Sequence, residues 1–97
     1  MADISEENQK NFLILLSLIV RQDRVAGKEL LEKVAHRLKE LFVNNKSENL
    51  RELFYDLMVF LYDKFEEFKG IAKSALIRGL SDSSEEIRQR IGEYWNN

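Results

Sequence analysis

At 97 residues the chain has room for one domain with one modest core. Apolar residues make up 44% and charged residues 33%, which excludes a disordered chain, and the net charge of -2 argues against direct nucleic-acid binding. The absence of cysteine excludes disulfides and cysteine-ligated zinc. The longest apolar run, residues 12–20, is about half of what a membrane-spanning helix needs, so we expect a soluble chain with no membrane contact.

The spacing of apolar residues predicts an all-α chain, and we expect a single domain over residues 1–97. Five helices and no strand are predicted, over residues 6–21, 27–43, 46–65, 68–80 and 84–95. The first helix is apolar on every side at its centre, which is typical of a helix that neighbours cover. The third has two apolar stripes and therefore needs partners on two sides. The second and fourth are apolar on one side only.

The connections between these helices are short, which favours antiparallel packing of successive helices. Two of them also carry capping signals. Asn45 followed by Glu48 has the spacing of a capping box, and Ser83 followed by Glu86 repeats it before the fifth helix. We therefore expect compact helical hairpins.

An internal repeat indicates the architecture. A shift of 37 residues places Asn45 on Asp82, Arg51 on Arg88, and Ser47-Glu48 on Ser84-Glu85. A period near this length with two helices per unit lies at the short end of the HEAT class. The sequence thus predicts a HEAT-like α-solenoid fragment of about five antiparallel helices. The predicted structural residues of its turns are Asn45, Arg51, Asp82 and Arg88, which hydrogen-bond loop backbone.

Two longer blocks carry a more specific resemblance. Residues 51–63 run Arg-Glu-Leu-Phe-Tyr-Asp-Leu-Met and continue with aromatic residues, and residues 71–82 end in Gly-Leu-Ser-Asp ahead of a terminal Tyr94-Trp95 pair. Both blocks resemble the late helical-repeat region of the DNA-dependent protein kinase catalytic subunit family, ahead of its phosphorylation cluster. The resemblance is colinear over about residues 6–97. This chain departs from the family in a shorter acidic loop at Glu66-Glu67 and in the absence of proline between the first two helices.

The resemblance implies a fragment of a very large nuclear kinase that acts in DNA double-strand-break repair by end joining. It does not imply catalysis here, because the phosphate loop, catalytic loop and metal-binding motif of kinases are absent from the sequence. A non-catalytic scaffold that contacts neighbouring repeats and other proteins is the expected role, with no cofactor. The absence of proline, cysteine and threonine also fits an engineered helical protein without biological activity, and this alternative stays open.

Titratable residues give no convincing catalytic or metal site. His36 is the only histidine and is expected on the polar face of the second helix, where one histidine cannot build a metal site. The adjacent carboxylate pairs, such as Glu66-Glu67 and Glu85-Glu86, are expected to be solvated or matched to helix dipoles.

Two groups remain as candidate contacts. Lys69, Lys73 and Arg78, with Lys64, form a basic strip on the fourth helix, which we interpret as a solvated face in preference to a nucleic-acid strip. Tyr94 and Trp95 either close the core or form an exposed aromatic patch that drives self-association. We accordingly expect a monomer or a weak homodimer.

Overall fold

The computed structural model describes residues 5–96, and within that range it contains only helices and turns. The helices are α1 (Glu6–Gln22), α2 (Arg24–Phe42), α3 (Glu48–Lys64), α4 (Lys69–Gly79) and α5 (Glu85–Asn96), with a 3-10 turn at Glu66–Phe68. The all-α prediction and the number of helices are confirmed. In the same range, no helix combines the length and the apolar character that crossing a membrane requires.

The contacts divide the chain into two units, Met1–Phe54 and Tyr55–Asn97, with the boundary inside α3. The first contains α1, α2 and the start of α3. The second contains the rest of α3, the 3-10 turn, α4 and α5.

In the first unit, α1 and α2 are joined through one residue, Asp23. Its backbone N–H donates to the carbonyl of Ile19 and so closes the last turn of α1. Its side chain accepts from the backbone N–H of Ala26 at 3.0 Å and so caps the first turn of α2. This double use explains why α2 begins at Arg24, three residues before the predicted start.

A glycine sets the approach of α1 and α2. A Cβ atom added to Gly27 would lie 2.8 Å from the Cα atom of Val20, which is closer than real Cβ atoms come to backbone. Val20 and Gly27 are both buried. The two helices can therefore touch at this point only because residue 27 has no side chain.

The expectation that neighbours cover α1 on all sides is wrong. Its buried face consists of Leu13, Leu16 and Val20. The opposite face is apolar but exposed, and its large side chains are Phe12, Ile14, Leu15 and Leu18. The sequence correctly marked the helix as apolar all round, but the described chain covers only one side of it.

The second unit is built around aromatic and small side chains. Phe65 lies between Phe60 and Phe68, with ring centroids 6.2 and 6.0 Å away, and the 3-10 turn buries Phe68 ahead of α4. Gly79 is buried, and a Cβ atom there would collide with Ile91 and lie 3.0 Å from the Tyr55 ring. The end of α4 therefore packs closely against α3 and α5.

Candidate functional site

The turn between α2 and α3 is held by four hydrogen bonds over ten residues. The backbone N–H of Asn45 donates to the Phe42 carbonyl at 3.3 Å, and the Asn45 side chain accepts from the N–H of Ser47 at 2.9 Å. The Ser47 hydroxyl accepts from the N–H of Leu50 at 3.3 Å. Nη1 of Arg51 donates to the Asn45 carbonyl at 2.7 Å.

The turn between α4 and α5 repeats these four bonds, each 37 residues later. Asp82 N–H donates to the Gly79 carbonyl at 3.1 Å, and the Asp82 carboxylate accepts from the N–H of Ser84 at 2.8 Å. The Ser84 hydroxyl accepts from the N–H of Ile87 at 3.3 Å. Nη1 of Arg88 donates to the Asp82 carbonyl at 2.5 Å.

The predicted capping residues need correction. Each cap belongs to a serine, Ser47 or Ser84, that directly precedes its helix. Asn45 and Asp82 lie two residues earlier and bend the chain by accepting a hydrogen bond from the serine N–H, in the manner of an Asx turn. Sequence reasoning chose Asn45 and Ser83 because asparagine and serine both cap helices, and only the observed helix start separates the two uses.

The first turn also reaches the beginning of α1. The Asn45 amide donates to the side-chain oxygen of Gln9 at 3.4 Å and to the Leu41 carbonyl at 3.3 Å. The Ser47 hydroxyl donates to the Glu6 carboxylate at 3.2 Å. Asparagine is suited to this position because its amide donates while its oxygen accepts.

An aromatic cluster lies at the end of α5, where Tyr94 and Trp95 meet Tyr62 of α3. The Tyr62 ring stands edge-on to the Trp95 ring at 5.1 Å and to the Tyr94 ring at 6.4 Å. Nζ of Lys69 lies 5.1 Å from the centre of the Tyr62 ring, within the range of a cation–π contact. Tyr94 and Trp95 are both half-buried, so part of each ring remains on the surface.

The Tyr94 hydroxyl is tied to Asp63 by a hydrogen bond of 2.6 Å. Burial raises the pKa of Tyr94 above its ordinary value, and the bond to Asp63 and the charge of its carboxylate raise this pKa further. The hydroxyl therefore stays protonated and keeps donating to Asp63.

Beside this cluster, α4 and α5 border an open cleft of about 430 Å³. Its lining comprises Lys73, Ile77, Leu80, Gly92, Trp95 and Asn96. Ile77 is 52% exposed and Leu80 40% exposed, so the floor of the cleft is apolar surface in contact with solvent. Such a cleft suits an apolar side chain of a binding partner better than a polar substrate.

The indole nitrogen of Trp95 is buried and has no hydrogen-bond partner among residues 5–96. An unpaired buried donor costs free energy, about 1–3 kcal/mol by general experience. The burial of Trp95 therefore leaves its indole N–H without a hydrogen bond within the described chain. The same side chain also lines the cleft.

The basic residues do not form one strip. Lys73 lines the cleft, and Lys69 lies over the Tyr62 ring. Arg78 follows Lys69 by nine positions, which places it about 180° away around the helix axis. Lys64 ends α3, with the 3-10 turn between it and α4. The structure thus brings Lys73 to the α4–α5 cleft and Lys69 to the aromatic cluster.

The titratable residues of the described chain show no metal-binding geometry. His36 is exposed on α2. Within residues 5–96, no three histidine, cysteine, aspartate or glutamate side chains lie close enough to hold a metal ion.

Sequence reasoning missed one apolar surface, the exposed floor of the α4–α5 cleft. The sequence analysis used Ile77 and Leu80 only as part of a repeat pattern. Both lie outside the buried stripe of α4, which includes Ala72, Ala75 and Leu76. Their position outside that stripe was the available signal.

Comparison with known proteins adds one distant relative. The chain is similar to the DNA-dependent protein kinase catalytic subunit of Dictyostelium discoideum, with 27% identity over 99 aligned residues. The alignment covers 87% of this chain but only 2% of the length of that protein. No family model matches the chain. No solved structure matches it either. The similarity supports a distant relationship, at most, to a small part of that catalytic subunit.

Proposed function

We propose that this chain is a HEAT-like helical-repeat segment, one domain of antiparallel helices, that serves as a scaffold for protein contacts. The observation that carries the proposal is the repetition of four turn hydrogen bonds at an interval of 37 residues. The match includes the serine caps and the two arginines, each of which donates to the carbonyl of the residue six positions earlier. In repeat proteins each unit packs on its neighbours, and the surface left over binds partners.

The contact surface in this proposal is the α4–α5 cleft with Trp95. Its apolar floor at Ile77 and Leu80 is exposed, while Lys73 and Asn96 provide a polar rim. Interfaces typically centre on an aromatic or aliphatic anchor inside such a rim. Asn45, Arg51, Asp82 and Arg88 act in the turns, as structural residues, and Tyr94, Lys69 and Arg78 stand beside the cleft or outside it.

The relative suggests the setting. A scaffold that is distantly related to the DNA-dependent protein kinase catalytic subunit would act in a nuclear DNA-repair assembly that joins broken ends, without catalysing a reaction itself. The alignment supports this as a proposal only for a segment, since it covers 2% of that protein.

A panning experiment tests the contact surface. A phage-displayed peptide library is selected on the whole chain, and the enriched peptides are titrated against Ile77→Glu and against Leu15→Glu, an exposed apolar position on α1. We expect peptides with apolar anchors whose affinity falls about tenfold in Ile77→Glu, because a charge would replace the floor of the cleft. Affinity in Leu15→Glu should be unchanged.

Two outcomes would count against the proposal. If no enriched peptide depends on Ile77, the cleft is not a contact surface, and an engineered helical protein without activity becomes the better interpretation. If duplex DNA binds and the binding is lost in Lys69→Glu with Lys73→Glu, nucleic acid is the partner instead. Ile77, Lys69 and Lys73 are all exposed, so the Ile77→Glu variant and the Lys69→Glu with Lys73→Glu variant should keep the helicity of the parent chain by circular dichroism.

A further inference from the structure

The α4–α5 cleft carries a positive charge that its lining does not balance. Lys73 is the one charged residue among the six that line it. Lys73 is exposed, and within residues 5–96 it makes no hydrogen bond or ion pair. Its ammonium group is therefore free to pair with a partner that covers the apolar floor at Ile77 and Leu80.

The helix faces around the cleft are mostly basic as well. The sequence of α4, KGIAKSALIRG, contains three basic residues and no acidic one. Lys69 lies one turn before Lys73 on the same face of α4. On α5 the exposed Arg88 lies one turn before Gly92, which lines the cleft. A negatively charged partner is thus favoured on both helices.

The acidic residues of α5 that come nearest do not belong to the lining. Glu93 follows Gly92 but is turned about 100° away from it around the helix axis. Glu85 lies at the start of α5, about two turns before Gly92. The cleft therefore lacks a carboxylate of its own, and a partner can supply one.

The repeat shows which part of the cleft a further helical repeat could cover. Three lining residues match positions that are buried 37 residues earlier in the chain. The pairs are Gly92 with Tyr55, Trp95 with Met58, and Leu80 with Val43. A following repeat that reproduced this arrangement could cover these three positions.

The remaining part of α4 gives the opposite result. Lys73 matches His36 of α2, and Ile77 matches Glu40. Both of these α2 residues are exposed, although α3, α4 and α5 follow them in the chain. A following repeat of the same kind would therefore leave Lys73 and Ile77 in solvent. A partner that covers these two residues is of a different kind.

A second copy of this chain lacks the required charge at its main exposed apolar surface. The large exposed side chains of α1 lie within residues 11–20, a stretch that contains no charged residue. If α1 of a copy covered the cleft, it would give Lys73 no counter-ion, and covering an unpaired ammonium group costs free energy. Val25 is exposed and has Glu29 one turn after it, so light scattering must test for self-association.

We propose that the α4–α5 cleft binds an acidic peptide segment of a partner protein. A leucine or phenylalanine of this segment packs on Ile77 and Leu80, and a carboxylate close to it in sequence pairs with Lys73. The backbones of Lys73 and Ile77 are about 6 Å apart along α4, a distance that a few residues of peptide span. This inference rests on the proposed function, which makes the cleft a contact surface, and it adds the charge of the partner.

The probes are short synthetic peptides with one central leucine or phenylalanine and no tryptophan. Each is made in two versions that differ only in a glutamate or a glutamine near the apolar anchor. Trp95 is the single tryptophan of the chain and lines the cleft, so its fluorescence reports occupancy of the cleft itself. At low salt we expect the glutamate version to bind the parent chain about fivefold more tightly than the glutamine version. High salt should reduce this preference, because it screens the ion pair.

Lys73→Gln should abolish the preference for glutamate, because it removes the partner of the carboxylate. Arg78→Gln is the matched control, since it removes the same charge from the same helix about 140° away around the axis. The preference should persist in Arg78→Gln. Both positions are exposed, and glutamine favours helix, so both variants should keep the helicity of the parent chain.

Four outcomes would overturn the inference. Equal binding of the two peptide versions, both weakened by Ile77→Glu, would refute the acidic partner and leave the proposed contact surface intact. A preference for glutamate that persists in Lys73→Gln and is lost in Lys69→Gln would place the carboxylate at the aromatic cluster instead. If no peptide changes the fluorescence of Trp95, the proposed contact surface fails together with the inference. A dimer of the parent chain that Ile77→Glu dissociates would make a second copy the occupant.

Discussion

The two turns that repeat at an interval of 37 residues make the same hydrogen bonds but bury different members of the motif. Arg51 in the first turn is only 8% exposed, whereas Arg88 at the matching position is exposed. In the second turn the buried polar residue is Asp82, at 9%. The hydrogen-bonding pattern is thus a local property of the sequence, while the free energy that each bond contributes depends on what surrounds it.

The difference follows from what each turn contacts. Asn45 can donate to Gln9 and to the Leu41 carbonyl while it accepts from Ser47. A carboxylate at this position could accept but not donate. The first turn therefore connects α1 to the junction of α2 and α3, and we expect the first unit to respond more strongly than the second to equivalent substitutions.

The largest effect is expected at the glycines that allow close packing. Gly27→Ala should lower the free energy of unfolding by about 2 kcal/mol, because the new Cβ meets the Cα atom of Val20 and backbone cannot easily move aside. Gly79→Ala should cost less, about 1 kcal/mol, because its nearest obstacle is the end of the Ile91 side chain. Urea unfolding followed by circular dichroism measures both.

Gly92→Ala is the control for these substitutions. A Cβ atom there has no heavy atom within 4 Å, and alanine favours a helix over glycine by up to about 1 kcal/mol. The variant should be as stable as the parent chain or more stable. If Gly27→Ala is also neutral, α1 and α2 do not approach each other through this glycine.

A smaller effect is expected at the arginines of the turns. Arg51→Ala should cost about 1.5 kcal/mol, because it removes a buried charged donor and leaves the Asn45 carbonyl with one fewer partner. Arg88→Ala should cost less than about 1 kcal/mol, since water can replace an exposed guanidinium. The midpoints of urea unfolding give the difference.

Arg90→Ala serves as the reference for a surface arginine. Arg90 lies 3.5 Å from Asp56, and both side chains are about half exposed, so its loss should cost under about 0.5 kcal/mol. Equal costs for Arg51→Ala and Arg88→Ala would show that burial of the guanidinium does not distinguish the two turns.

Much of the local structure could be predicted because it depends on residues close in sequence. The 37-residue offset that pairs Asn45 with Asp82 and Arg51 with Arg88 can be read directly from the sequence. The structure places these residues in two matching turns. The start of α2 was predicted three residues late because a single residue, Asp23, ends one helix and caps the next. A connection of one residue contains no run of loop-forming residues that would mark the boundary between the two helices in the sequence.

Which apolar surfaces are covered could not be predicted in the same way. The pattern of α1 indicates a helix that requires neighbours on every side, but it does not indicate whether the chain supplies them. Phe12 of α1 is exposed, whereas Phe54 of α3 is buried and stacks on the Phe42 ring of α2. Long-range packing of this kind depends on the position of α2, which the sequence of α1 does not contain.

The smallest effect, absent at neutral pH, is expected from Tyr94. All three tyrosines lie in the second unit, and burial together with Asp63 raises the pKa of Tyr94 above that of an unfolded chain. A tyrosine with a raised pKa contributes stability that is complete below about pH 10 and is lost as the pH rises through the folded pKa. Above about pH 10 the melting temperature should therefore fall more steeply for the parent chain than for Tyr94→Phe, which has no proton to lose at this position. Parallel curves would mean that the hydroxyl ionises as it does in the unfolded chain, and that the Asp63 bond does not hold the end of α5 to α3.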